Sequence, residues 1–198
     1  MSLTSLGCVG VPFALPPTQL TVATGVEKVP DGHVQAPLQV RAAVHPMQFA
    51  PEWTGREFDL GVGYMFDGNR AFQLHGGYAE GGVVLWKHLG RTSFQRISAR
   101  GQVRVLKDPT QPLVGRGAAA LLVLETGRFV DGPFGEIDSS GGAFGYSFGE
   151  SSIGVASELS YASVDRLESW ALTLGLVVRV PTVAGFAFVW ATELLKKK

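Results

Sequence analysis

From Phe58 to Phe66 every second residue is large and apolar, while Asp59, Gly61, Gly63 and Met65 fall between them. A period of two puts the two sets on opposite faces of a strand. Asp67-Gly68-Asn69 follows, a hairpin composition that tolerates positive φ. Phe72, Leu74 and Tyr78 then alternate with Gln73, His75 and Gly77, and the run passes Gly81-Gly82, where a bulge is expected, to Val84 and Trp86. From Phe94 to Leu106 one face carries Ile97, Ala99, Gly101, Val103 and Val105, and the other Arg96, Ser98, Arg100, Gln102 and Arg104. Residues 116–126 are apolar on both faces apart from Arg116 and Glu125, and alternation resumes over 153–161, 170–180 and 186–190. With 37–44 as the first, about eight strands are predicted. The connections 67–70, 89–92, 107–114, 163–166 and 181–182 are short, and 128–142 reads as the one long loop. Sequential strands with tight connections predict an all-β fold, an eight-stranded antiparallel up-and-down β-barrel whose closure removes its edges.

Prolines divide the chain. Pro12, Pro16, Pro17, Pro30, Pro37, Pro46 and Pro51 all lie in the first 51 residues, and each removes a backbone donor. Residues 1–33 therefore read as an extended, Pro-rich N-terminal arm with an edge strand near Gln19–Thr24, 34–192 as the barrel domain, and 193–198 as a basic tail. No secretory signal is legible before Cys8, and the stretch ending Leu6-Gly7-Cys8 nominates Cys8 as a lipidation site beside its plainer reading as a thiol near a chain end.

Which face meets which solvent is decided by composition. In a water-soluble barrel the large apolar face points inward; in a membrane barrel it meets lipid. The faces opposite the large residues are mostly Gly, Ala, Ser and Val, a poor coat for water but suited to a crowded barrel interior. Only 17% of the 198 residues are charged, while 45% are hydrophobic. No run of about 18 apolar residues exists from which a transmembrane helix could be built. Phe58, Leu60, Val62, Leu172, Leu174 and Leu176 are thus expected to face lipid, with Tyr64, Trp86, Tyr161, Trp170 and Trp190 as an aromatic girdle near the stripe ends.

Short repeats such as Leu60-Gly61-Val62-Gly63-Tyr64 and Gly145-Tyr146-Ser147-Phe148, within a pattern spanning 34–192, resemble the small outer-membrane β-barrels of Gram-negative bacteria. That class commonly ends on an aromatic residue, whereas here Trp190 is followed by Ala191–Lys198, a departure that either sets standard insertion aside or marks the tail as appended. The resemblance implies a cell outer-membrane location and a barrel plugged by an internal ion-pair network of Arg96, Arg100, Arg104, Glu125, Glu158 and Arg179. Unpaired charges in a confined lumen each cost several kcal/mol, so these must pair. In a soluble barrel the same residues would be solvated surface charges, and a grip on an anionic ligand is a further reading.

Candidate chemistry is sparse. Gly115-Arg116-Gly117-Ala118-Ala119-Ala120 fits G-x-G-x-x-A on paper but lacks the strand-to-helix context that binds pyrophosphate. His33, His45, His75 and His88 show no metal spacing. His88 and Ser93 with an acidic partner would give a hydrolytic set, and Asp131, Glu136 and Asp138 a calcium loop, though a solvated acidic loop is the commoner meaning. Seventeen basic residues balance seventeen acidic ones, which argues against nucleic acid as a partner. No metal or cofactor is expected, and one cysteine permits no disulfide framework. The expectation is a non-enzymatic barrel with a structural or scaffold role, bound to outer-membrane lipid and contacting envelope proteins through its arm and 128–142. Two rivals stay open. One is a soluble, periplasmic or secreted lipocalin-like barrel whose apolar cavity Phe58, Leu60, Tyr64, Leu172 and Leu174 would line. The other is an outer-membrane lipid-modifying enzyme.

Overall fold

A computed structural model describes residues 8–29, 32–49, 57–68, 73–109, 114–138, 141–164 and 167–190. Its strands are β1 (Cys8–Leu15), β2 (Thr18–Lys28), β3 (Val34–Gln35), β4 (Leu38–Val44), β5 (Phe58–Gly68), β6 (Gln73–Leu89), β7 (Ser93–Lys107), β8 (Val114–Asp138), β9 (Gly141–Val164), β10 (Leu167–Val180) and β11 (Thr182–Trp190), with one 3-10 turn at Pro46–Phe49. β2, β4, β5, β6, β7, β8, β9 and β10 pair in that order, and β10 returns to β2, closing an antiparallel ring of eight.

Paired residues trace the ring. Thr18 leads to Val44, Val62, Ala79, Val103, Ala118, Tyr161 and Trp170, then back to β2 at Lys28, ten residues beyond the start. Eight strands with that stagger tilt by about 40° at ordinary strand spacing and rise.

Four strands outrun the ring. β8 and β9 remain paired from Phe129↔Glu150 to Asp138↔Gly141, beyond the last β7 partner at Arg128. β9 then pairs β11, and β11 pairs β1, giving a four-stranded flange in the order β8-β9-β11-β1. Pro16 and Pro17 separate β1 from β2, and Pro181 separates β10 from β11. The register between the two composite strands nonetheless continues unbroken, from Val180↔Thr18 to Val183↔Leu15. Proline has no N–H for the ladder, so it interrupts pairing without turning the chain. β9 carries one extra residue opposite Pro181, with Gly149 at φ 108.

Several sequence expectations are corrected here. Thr18–Lys28, assigned to the arm, is a ring strand paired on both sides, so the fold does not divide at residue 33. Residues 186–190, counted as the eighth barrel strand, belong to the flange. The long loop 128–142 is instead the two arms of the β8–β9 hairpin. The register shift in β6 falls between Val84 and Trp86, not at Gly81-Gly82. In β6 it is Leu74 and Tyr78 that are buried inside, where they pack with Ala43, Met65, Leu106 and Val164. The turn at Asn69 and the tail 193–198 lie outside the described residues.

Candidate functional site: the charged lumen and the apolar wall

Inward positions alternate with outward ones along every ring strand, and β7 places Arg96, Arg100 and Arg104 on the inward face. At the flange end of the lumen one carboxylate gathers three guanidinium groups. Glu125 Oε2 accepts from Arg96 Nε and Arg100 Nη2, each at 2.9 Å, and Arg179 Nε lies 3.4 Å from Oε1. Arg96 also pairs Glu150 at 2.8 Å, and Arg179 donates to Asp59 at 2.9 Å. Gln19 Oε1 accepts from both Arg100 (2.7 Å) and Arg179 (2.9 Å). His45, directly after β4, sets Nδ1 3.0 Å from Asp59 and Nε2 3.2 Å from Glu80, tying the end of β4 to β5 and β6.

A second cluster sits further in. Glu158 accepts from Arg104 at 2.5 Å and also pairs with Arg41. The Gln102 amide links the clusters, its Oε1 accepting from Arg104 Nη2 at 2.6 Å while its Nε2 donates to Glu80 at 2.8 Å. Toward the other rim Gln39 donates to Asp67 at 2.8 Å, beside the apolar group of Met65, Leu74, Tyr78 and Leu106. The flange mouth holds Phe94 against Phe129 with ring centroids 5.1 Å apart, and the Arg96 guanidinium lies 4.9 Å from the Phe94 centroid. Charges removed from water to this degree are tolerable only when paired and hydrogen-bonded.

All six charged residues nominated from sequence are thus inside and mutually connected: Arg96, Arg100, Arg104, Glu125, Glu158 and Arg179. Sequence reading missed Arg41, His45, Asp59, Glu80, Glu150 and the bridging amides of Gln19 and Gln102. The signal was present: Gln39 and Arg41 alternate with Leu38 and Val40, as Gln19 and Thr21 do with Leu20 and Val22.

The outer wall is the inverse of the lumen. Phe58, Leu60, Val62, Leu172, Leu174 and Leu176 all point out, with Leu174 69% exposed. This rules out the cavity lining that a lipocalin-like barrel requires of Phe58, Leu60, Tyr64, Leu172 and Leu174. Tyr161 packs against Trp170 in a tilted pair with ring centroids 4.9 Å apart, each three residues from its strand end, and Trp86 sits three residues from the end of β6. Tyr64 lies mid-strand, its hydroxyl hydrogen-bonded to His75 Nδ1. Trp190 closes β11 at the flange tip, paired to Cys8, the first residue of β1.

Exposed charged side chains among the described residues are confined to the rims, turns and flange: Lys28, Lys107, Arg116 and Glu168 at one rim, and Glu57, Lys87, Arg91, Arg128 and Asp131 at the other or beyond it. Between Arg116 and Arg128 on β8 the outward residues are Ala118, Ala120, Leu122, Leu124 and Thr126. Twelve residues tilted by about 40° rise about 30 Å, the thickness of a bilayer's hydrocarbon core.

Other candidates find no assembly. His88 and Ser93 flank the β6–β7 turn, both exposed, and among the described residues no hydrogen bond joins them to each other or to a carboxylate. Asp131 accepts from the Tyr146 hydroxyl at 2.7 Å, and no group of three or more metal-ligating side chains occurs among the described residues. Gly115–Ala120 lies within β8, not at a strand-to-helix turn.

No protein family model matches the chain, and no curated protein matches it. Among solved structures the chain is similar to a de novo designed transmembrane β-barrel (13% identity, covering 84% of this chain and 98% of that one, TM-score 0.36). It is also similar to Neisserial surface protein A, NspA (10% identity, 87% and 98% covered, TM-score 0.39). A third likeness is Ail, the attachment invasion locus protein of Yersinia pestis (8% identity, 82% and 96% covered, TM-score 0.29).

Proposed function

We propose that this chain is a closed, non-catalytic barrel of the bacterial outer membrane, plugged by its own ion pairs, that presents its flange to other envelope proteins. One observation carries the membrane reading: a wall of exposed Leu, Val, Ile and Phe with charge only at its two rims, around a lumen of buried charge. Water would favour the opposite arrangement. A sheet satisfies its backbone in lipid only by closing on itself, as the ring does.

The plug reading follows from the lumen's contents. Arg41, Arg179, Glu125 and Glu158 are each at most 2% exposed and cross-linked from wall to wall. The role in partner contact rests on the flange, which brings β1, from the arm, and the described part of 128–142, the two regions nominated from sequence, into one sheet with 143–148 and β11. Its Phe144, Tyr146 and Phe186 are exposed beyond the charged rim, and Phe144 stacks on Phe188 at 5.4 Å.

Two measurements test this. The purified barrel in a planar bilayer should give no steady conductance, and a stable ion current would contradict the plug. A photo-crosslinking residue at Phe186 should capture a protein adduct in intact cells that the same residue at Leu174 does not. Equal adducts at both positions, or none at Phe186, would remove the flange's role.

A further inference from the structure

The outer wall is broken where β10 gives way to the flange. Pro181 offers no N–H to β9, and β9 bulges opposite it at Gly149, so the β9 ladder lapses between Arg179↔Ser152 and Thr182↔Phe148. The lapse leaves a groove of about 530 Å³ whose lining includes Thr126, Arg128, Ser151, Ile153, Val178 and Val180. It lies at the flange rim, where the charge-free wall ends. Arg128 is exposed, has no ion-pair partner among the described residues, and also borders the neighbouring cleft on the flange side of the rim. Ser93, its cross-strand neighbour, begins β7, which brings Arg91 of the preceding turn to the same end of the wall.

We infer that this groove binds a phosphate-bearing anionic lipid, the phosphate on Arg128 and the start of an acyl chain along Ile153, Val178 and Val180. The inference rests on the membrane reading above. Charge complementarity selects the occupant: a guanidinium takes a phosphate through two parallel hydrogen bonds, and the Ser151 hydroxyl is a further donor at the groove. A bilayer delivers such a headgroup to this height on the wall and its chain to the apolar side. Free phosphate shares the headgroup chemistry but gains nothing from the apolar lining.

The test is native mass spectrometry of the detergent-purified full chain with equimolar phosphatidylglycerol and phosphatidylcholine. The wild type is expected to retain one phosphatidylglycerol in preference to phosphatidylcholine, and Arg128→Ala to lose that preference by about tenfold, the scale of one charge-assisted contact. Arg128→Lys should keep part of it, Arg116→Ala at the other rim should keep all of it, and millimolar inorganic phosphate should not displace the lipid. Boil-dependent gel mobility checks that each variant is folded. Equal retention of the two lipids by a wild type that survives alkaline extraction in the membrane overturns the site alone, as does unchanged preference in Arg128→Ala. Displacement by inorganic phosphate overturns the lipid as the ligand. Failure of the wild type to stay in the membrane overturns both readings together.

Discussion

Glu125 is the most heavily committed side chain in the lumen, facing Arg96, Arg100 and Arg179 at once. Removing it takes a shared carboxylate from three guanidinium groups, which keep only Glu150, Asp59 and Glu80, and leaves excess positive charge where water cannot reach it, whereas removing one arginine leaves Glu125 two partners. Glu125→Ala should therefore lower unfolding stability by about 3–5 kcal/mol, the usual penalty for breaking a buried pair, and more than Arg96→Ala does. Urea unfolding of the micelle-folded barrel, followed by tryptophan fluorescence, measures this. Equal midpoints for wild type and Glu125→Ala would contradict the network's role in stability. On the flange, the hydrogen bond that Tyr146 gives Asp131 raises the tyrosine's pKa above its ordinary value. A raised acid favours the protonated phenol, so the bond's contribution is fully present below the unfolded tyrosine pKa and fades as pH rises through the folded one. Ultraviolet titration of the wild type should show Tyr146 ionising late. In Asp131→Asn that tyrosine should ionise earlier, and identical titration curves would contradict the pairing.

At the scale of elements, β7 was fully legible because nothing interrupts its alternation from Phe94 to Leu106, and its three arginines came with it. β2 alternates as regularly, Gln19, Thr21 and Ala23 inward against Leu20, Val22 and Thr24. The prolines on either side made it read as part of an arm. Those prolines break the chain at the rim without removing β2 from the ring, a distinction set by pairing partners far away in sequence. The flange was hidden for a related reason: Gly132, Pro133 and Gly135 are loop residues by composition, yet they occupy an extended strand paired on one side to β9. Glycine is needed there. A Cβ at Gly145 would lie 2.1 Å from the Ala184 carbonyl oxygen, and one at Gly185 2.2 Å from that of Phe144. The bare glycines let the sheet curl until Phe13 and Phe134 approach to 6.3 Å. Gly145→Val should therefore open the flange and leave the ring intact. Limited proteolysis should newly cut between 129 and 148 while the boil-dependent mobility shift persists. Loss of that shift would mean that flange and ring fold as one unit.

On the scale of the whole molecule, the polarity of the two faces decides the solvent. Composition already leaned this way, since the faces opposite the large residues are mostly Gly, Ala, Ser and Val, poor in the Lys, Glu and Thr that water favours. Strand alternation alone was ambiguous, because the period of two is the same whichever face turns in. Ring closure and the confinement of exposed charge to two rims among the described residues support the reading with lipid outside and charge within. An arginine midway down the wall should then cost about 2–4 kcal/mol, less near a rim. Leu174→Arg should be destabilised accordingly in urea titrations from vesicles, and Val180→Arg, at the rim, much less. The most direct measurement is extraction of the natively expressed protein from membranes with alkaline carbonate, then gel mobility with and without boiling. Retention in the washed membrane with a boil-dependent shift is the predicted result. Release into the supernatant with no shift would contradict a closed barrel whose apolar wall meets lipid.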